Sequence, residues 1–154
     1  LSSSKIVHNG ILLFVQTPLD YSNPFAKAIQ TNGEATISWL RNRGIEVERM
    51  DTAMHVGLIV RSKKTVVEAV PGYGVREQSC TDFFKQFEDV AGARFFLGTV
   101  LNASDEQADK AAQFALEQVG RHYASGFRPW TATDPPCFYC SSLVDYAYQK
   151  ALDT

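Results

Sequence analysis

Three residues of this 154-residue chain are of the types that thiol chemistry requires: Cys140, His55 and Glu68. A thiol attacks as a thiolate, so it needs a base to take its proton and a third group to orient that base. Cys140 follows Pro135-Pro136 and opens a predicted helix whose face continues through Val144, Ala147 and Ala151, so its side chain is expected to point inward. The positive dipole end and free N–H groups of a helix start lower a thiol pKa. His55 begins one predicted strand and Glu68 lies in the next. With a tight turn centred on Arg61-Ser62, Val60 faces Lys63, Val56 faces Val67 and His55 faces Glu68. The Cβ atoms of such opposed pairs lie about 4.5–5.5 Å apart, within reach of a side-chain hydrogen bond. One face of this hairpin is then core: Met54, Val56, Leu58, Val60, Val67 and Ala69. The other carries His55, Gly57, Val66 and Glu68, with Gly57 expected to leave open space beside the polar pair. Taken singly, each residue has a plainer role as a buried core cysteine, a satisfied core histidine or a solvated carboxylate. The opposition of His55 and Glu68 within one hairpin is what favours the joint functional reading.

The elements that must position these groups read as α+β. Gly10–Val15 is predicted as a first buried strand. Asn23-Pro24 looks like an N-cap with Pro at the first helical position, opening a helix with Phe25, Ala28 and Ile29 on its apolar face and ending at Asn32-Gly33. A second short helix is expected over Ile37–Asn42, and residues 45–52 suggest an edge strand. His55–Val60 and Lys63–Ala69 are the strongest strands. A short helix around Phe83–Phe87, capped by Thr81, and a strand over Ala93–Leu101 follow. Ser104 with Gln107 forms a capping box for a helix whose buried face is Ala108, Ala111, Ala115 and Val119, with Gly120 ending it. Tyr123–Pro136 is a long loop that runs into the Cys140 helix, and it is expected to roof a cleft between that helix start and the His55–Glu68 strands. Its Tyr123, Phe127 and Trp130, together with Gly57 and Tyr73, are the candidate substrate-binding residues. Such aromatic residues equally serve to pin loops to a core.

These residues also resemble a known family. Met54–Val60, Val67-Glu68-Ala69 and Phe138–Val144 are similar to the permuted papain-like cysteine hydrolases of the YiiX type, circularly permuted relatives of the NlpC peptidases. Asn9–Phe14 resembles the family's opening strand, and Gly120 with Tyr123 its Gly-x-x-Tyr segment. The order His, acid, Cys is the family's order. Ile11, Ala124 and Ser142 stand where the family often has Asp, Asp and Glu. The resemblance implies a papain-like, circularly permuted NlpC-type fold with a central antiparallel sheet and flanking helices, spanning residues 1–154 as one domain. It also implies hydrolysis of an amide, in a small peptide, a bacterial cell-wall peptide or an acyl amide, by a Cys140–His55–Glu68 triad. Two further readings stand beside it. One is lipid acyl hydrolysis or transfer of the lecithin:retinol acyltransferase type, whose Asn-Cys-Glu-His-Phe segment is absent here. The other is a non-catalytic binding module on the same fold, which a Cys140 turned away from His55 would favour.

Composition narrows the classes. Hydrophobic residues make up 45% and charged residues 21% of the chain, with a net charge of −2, which is the range of a globular domain. No basic run or stripe stands out, so no nucleic-acid partner is expected. No apolar stretch reaches the roughly 18–20 residues of a membrane helix, so no stable membrane insertion is expected. Leu1 suggests a processed or trimmed chain, and the expected setting is the cell envelope or the exterior rather than the cytoplasm. Three cysteines do not make a disulfide framework. Cys137-x-x-Cys140 would need two more ligands for zinc, and Cys80, His8, His55 and His122 are scattered, so neither a metal nor another cofactor is expected. The first prediction is that iodoacetamide at about pH 6–7 labels Cys140 far faster than Cys80 or Cys137, read by peptide mapping. Similar rates at all three would remove the thiolate argument.

Overall fold

A computed structural model describes residues 9–18, 24–46 and 53–153. Five strands form one antiparallel sheet: β1 (Ile11–Gln16), β2 (His55–Val60), β3 (Thr65–Val70), β4 (Gly74–Ser79) and β5 (Arg94–Gly98). Their order across the sheet is β4-β3-β2-β1-β5. Four helices accompany them: α1 (Pro24–Arg41), α2 (Cys80–Lys85), α3 (Asp105–Leu116) and α4 (Cys140–Leu152).

Alternation along the strands sends side chains to both faces, and both faces are covered. Val56, Leu58, Val60, Val67, Ala69 and Val75 meet α3 and α4 on one face. The four alanines that α3 buries, Ala108, Ala111, Ala112 and Ala115, let it approach closely beside Leu143, Ala147 and Ala151 of α4. The Tyr148 hydroxyl donates to the Gly10 carbonyl at 2.5 Å and ties α4 to the start of β1. On the other face Leu13, Val15 and Val66 close around Phe83 of α2. Phe83 is fully buried, which contributes about 1.5–3 kcal/mol of apolar transfer.

The capping box at Ser104 forms as expected, with Gln107 N–H donating to Ser104 Oγ at 3.2 Å and Ser104 N–H to Gln107 Oε1 at 2.9 Å. Several boundaries differ from expectation. A single helix runs from Pro24 to Arg41, straight through Asn32-Gly33, because a lone interior glycine costs only about 1 kcal/mol. The Gln30–Glu34 side-chain bond at 3.0 Å spans that position. Asn23, the Phe25 side chain and residues 47–52 of the expected edge strand lie outside the described residues. Ser79, not Thr81, caps α2 by accepting from the Asp82 N–H. α3 ends at Leu116, before Val119, which is exposed. Strand β4 was not expected at all: its sequence Gly-Val-Arg-Glu-Gln-Ser carries one apolar side chain, so no period-2 apolar signal marks it.

The central hairpin differs in register. Its connection is four residues, Arg61–Lys63 in a 3-10 turn and Lys64 at φ 55°, rather than a two-residue turn. Leu58 pairs with Val67, Ile59 with Val66 and Val60 with Thr65. Relative to the expected register every partner moves by two, which preserves the faces but places His55 diagonal to Glu68 rather than opposite it. The space beside Gly57 is also not open. Gly57 is buried, and a Cβ there would meet Val66 Cγ1 at 2.6 Å and the Val67 carbonyl oxygen at 3.2 Å. Gly57→Val is therefore expected to destabilise the fold by about 1–3 kcal/mol through overpacking, read by denaturant unfolding. An unchanged midpoint would show that the Val66 side chain yields freely.

Candidate active site

Cys140 is the first residue of α4, preceded by Tyr139 in an extended conformation. Ser142, buried in the first turn, secures that start: Tyr139 N–H donates to Ser142 Oγ at 2.9 Å, and the Ser142 hydroxyl donates to the Tyr139 carbonyl at 3.0 Å. The helix packs on the first sheet face, yet its first residue reaches the beginning of β2, where His55 stands. The thiol and the imidazole are close enough that each favours the charged form of the other.

The other ring nitrogen of His55, Nε2, lies 2.5 Å from Glu68 Oε2. This leaves Nδ1 for the thiol. Phe83 stacks along the imidazole, with ring centroids 6.2 Å apart and planes at 19°. Glu68 is 1% exposed. Its second oxygen, Oε1, accepts from Arg76 Nε at 3.0 Å and from Gln78 Nε2. Arg76 and Gln78 went unnoticed in the sequence because β4 itself did. The signal that could have found them is the Pro-Gly-Tyr-Gly turn after Val70, a hairpin mark followed by Arg-x-Gln on one face.

The electrostatics follow from these contacts. Burial alone would lower the His55 pKa, but the hydrogen bonds and charges of Cys140 and Glu68 outweigh it and raise it to about 9. Burial alone would raise the Cys140 thiol. The His55 hydrogen bond and charge, with the N–H groups of Val56 and Ser141, hold it below the ordinary thiol range. Burial would likewise raise Glu68, and the bonds and charges of His55 and then Arg76 keep it below the ordinary carboxylate range. Thiolate, imidazolium and carboxylate thus stand in series. Cys80, by contrast, is pushed up by burial.

The aromatic candidates are not all in one place. Tyr123 is near enough for a charge on Cys140 to raise its hydroxyl pKa, after burial. Phe127 packs edge-on against Tyr139 with ring centroids 5.4 Å apart, next to Cys140. Trp130 lies further along α4, where its indole N–H donates to Asp145 Oδ2 at 2.9 Å and its ring meets Tyr146. Tyr73 is exposed at the β3–β4 turn, with the Arg76 guanidinium 4.7 Å above its ring. The loop after Tyr123 is pinned at its base by a parallel bridge between Tyr123 and Phe138.

Comparison with known proteins adds the following. The family model described as permuted papain-like amidase enzyme, YaeF/YiiX, matches residues 6–154. Among solved structures, the crystal structure of metalloprotein yiiX from Escherichia coli O157:H7 is similar, at 25% sequence identity and a TM-score of 0.57, covering 96% of this chain and 67% of that one. No curated protein matches. The expected α+β fold, a central antiparallel sheet with flanking helices of the permuted papain type, agrees with both matches. That neighbour is described as a metalloprotein, but among the described residues here no group of three or more His, Cys, Asp or Glu side chains fits a metal ion. Among the same residues no helix is long and apolar enough to cross a membrane. The contact between Cys140 and His55 gives a prediction. In His55→Ala, thiolate ultraviolet absorbance is expected to titrate up toward the ordinary thiol range near about 8.5. A titration matching the unsubstituted protein would mean that the imidazole does not hold the thiolate.

Proposed function

Because the chain belongs to the YaeF/YiiX family of permuted papain-like amidase enzymes, we propose that it hydrolyses an amide bond with Cys140 as nucleophile, His55 as base and acid, and Glu68 as the group that orients His55. The observation that carries this reading is that one imidazole stands beside the thiol at the start of α4, lowering its pKa, and lies through Nε2 2.5 Å from a buried carboxylate. That contact also argues against the binding-module reading, which required Cys140 turned away from His55.

The chemistry follows from the arrangement. The Cys140 thiolate attacks the amide carbonyl carbon and a C–S bond forms. The carbonyl oxygen takes the negative charge and is received by the Cys140 backbone N–H, which as a first-turn group has no partner within the helix. The Tyr123 hydroxyl, near enough to Cys140 to feel its charge, is assigned here as a second donor to that oxygen. As the C–N bond breaks, His55 gives its proton to the leaving amine, and a thioester remains on Cys140. His55, now neutral, takes a proton from water, whose oxygen attacks the thioester. The acid leaves and the imidazolium–thiolate pair returns. The substrate is a small peptide or an acyl amide whose carbonyl can enter beside Phe127 and Tyr139.

The test is turnover of a panel of short peptides and N-acyl amides. Cys140→Ala and His55→Ala should each cut kcat about a millionfold, and Glu68→Gln about 10- to 100-fold less severely. Turnover should fall as pH rises through about 9, where His55 loses the proton that the leaving amine needs. A Cys140→Ala variant as active as the unsubstituted chain would reject the mechanism.

A further inference from the structure

We propose that Arg76 is a positioning residue of this site, clamping one oxygen of Glu68 so that the other is held on His55. The proposal rests on the Cys140–His55–Glu68 reading above and deepens it. Arg76 stands directly opposite Glu68 in the β3–β4 ladder. Its Nε and Nη2 both approach Oε1, at 3.0 and 2.9 Å, and Gln78 Nε2 donates to the same atom. Two hydrogen bonds and the ion pair on Oε1 leave Oε2 to the imidazole, which fixes the rotation of the carboxylate about its last bond. Arg76 is itself held from outside: Nη2 donates to Gln86 Oε1 at 3.0 Å, and the guanidinium lies over the Tyr73 ring.

The charge of Arg76 matters as much as its geometry. A carboxylate that is 1% exposed and lacks a cation would tend to take up a proton, and a protonated Glu68 no longer stabilises an imidazolium. The groups facing Glu68 are His55 from β2, and Arg76 and Gln78 from β4. α2 offers the apolar ring of Phe83 behind the imidazole, and α4 offers Cys140 beyond it. Among the described groups in this set, Arg76 carries the permanent positive charge. Loosening it lets Glu68 rotate or protonate, so His55 loses its proton more easily and the thiolate loses its partner.

The test is the rate of Cys140 alkylation by iodoacetamide as a function of pH, in the whole chain. Arg76→Met is expected to move the acid limb of that profile up by about one pH unit, and Glu68→Gln to move it in the same direction. The double variant is expected to move it no further than Glu68→Gln alone, because Arg76 acts through Glu68. It also removes the uncompensated buried charge that Arg76→Met leaves, so it carries the comparison if the single variant does not fold. A merely structural loss would lower the melting temperature or the reactive fraction without displacing the limb. An unmoved limb in folded Arg76→Met, or a double variant whose shift is the sum of the two singles, overturns the proposal. If Cys140 in the unsubstituted chain titrates like an ordinary exposed thiol, the catalytic reading fails and this proposal with it. A depressed limb that ignores Arg76 defeats this proposal alone.

Discussion

A carboxylate closed off from water must be paired, and Glu68 imposes that condition on everything around it. Ionised groups are tolerated in a protein interior only where hydrogen bonds and an opposite charge replace the lost hydration. Stranding a buried charge by removing its partner typically costs about 3–5 kcal/mol. The sheet meets the condition locally. β4 turns Arg76 and Gln78 to the face that holds Glu68 and turns Val75 to the core. His55 closes the remaining side. Gly57 contributes by what it lacks: the Glu68 Cβ would lie 3.5 Å from a side chain there, and Val66 already fills the nearer volume. The polar set is fully satisfied, with no buried unpartnered side-chain polar atom among the described residues.

Much of this was legible in the sequence. The two strong strands, the polar turn between them and the Cys at a late helix start placed Cys140, His55 and Glu68 in the right elements. The faces were legible even though the register was not, because the actual turn displaces pairing by two residues and side chains alternate with period two. Turn length is set by local backbone geometry, here a 3-10 turn and a left-handed Lys64, which composition does not announce. β4 was illegible because both of its faces carry polar residues, Arg76 and Gln78 toward Glu68 and Glu77 and Ser79 on the side of Val75, so it lacks the apolar alternation by which strands are recognised. The same fact hid Arg76 and Gln78. The second sheet face, where open space was expected beside Gly57, is covered because α2 folds Phe83 over it.

The start of α4 shows a related economy of parts. A helix N-terminus must satisfy several orphan N–H groups, yet the catalytic reading needs some of them directed at the substrate and the thiol. Ser142 reconciles the two. Its hydroxyl secures the Tyr139 backbone just outside the helix, while the N–H groups of Ser141 and Val56 point at the thiol.

The parallel bridge between Tyr123 and Phe138 has a bearing on how such a site can diversify. Ala124 N–H donates to the Phe138 carbonyl at 2.9 Å, and Phe138 N–H to that of His122 at 3.1 Å. Fully buried Phe138 anchors the return. The chain therefore departs and comes back at one fixed point, two residues before Cys140. Between residues 124 and 137 the segment touches α4 through side chains, Phe127 on Tyr139 and Trp130 on Asp145 and Tyr146, while the backbone at both ends is held by the bridge. Lengthening a closed excursion is cheap, about 0.6 kcal/mol for each doubling. Length can therefore change between the two ends at little cost, provided that the side chains resting on α4 are kept.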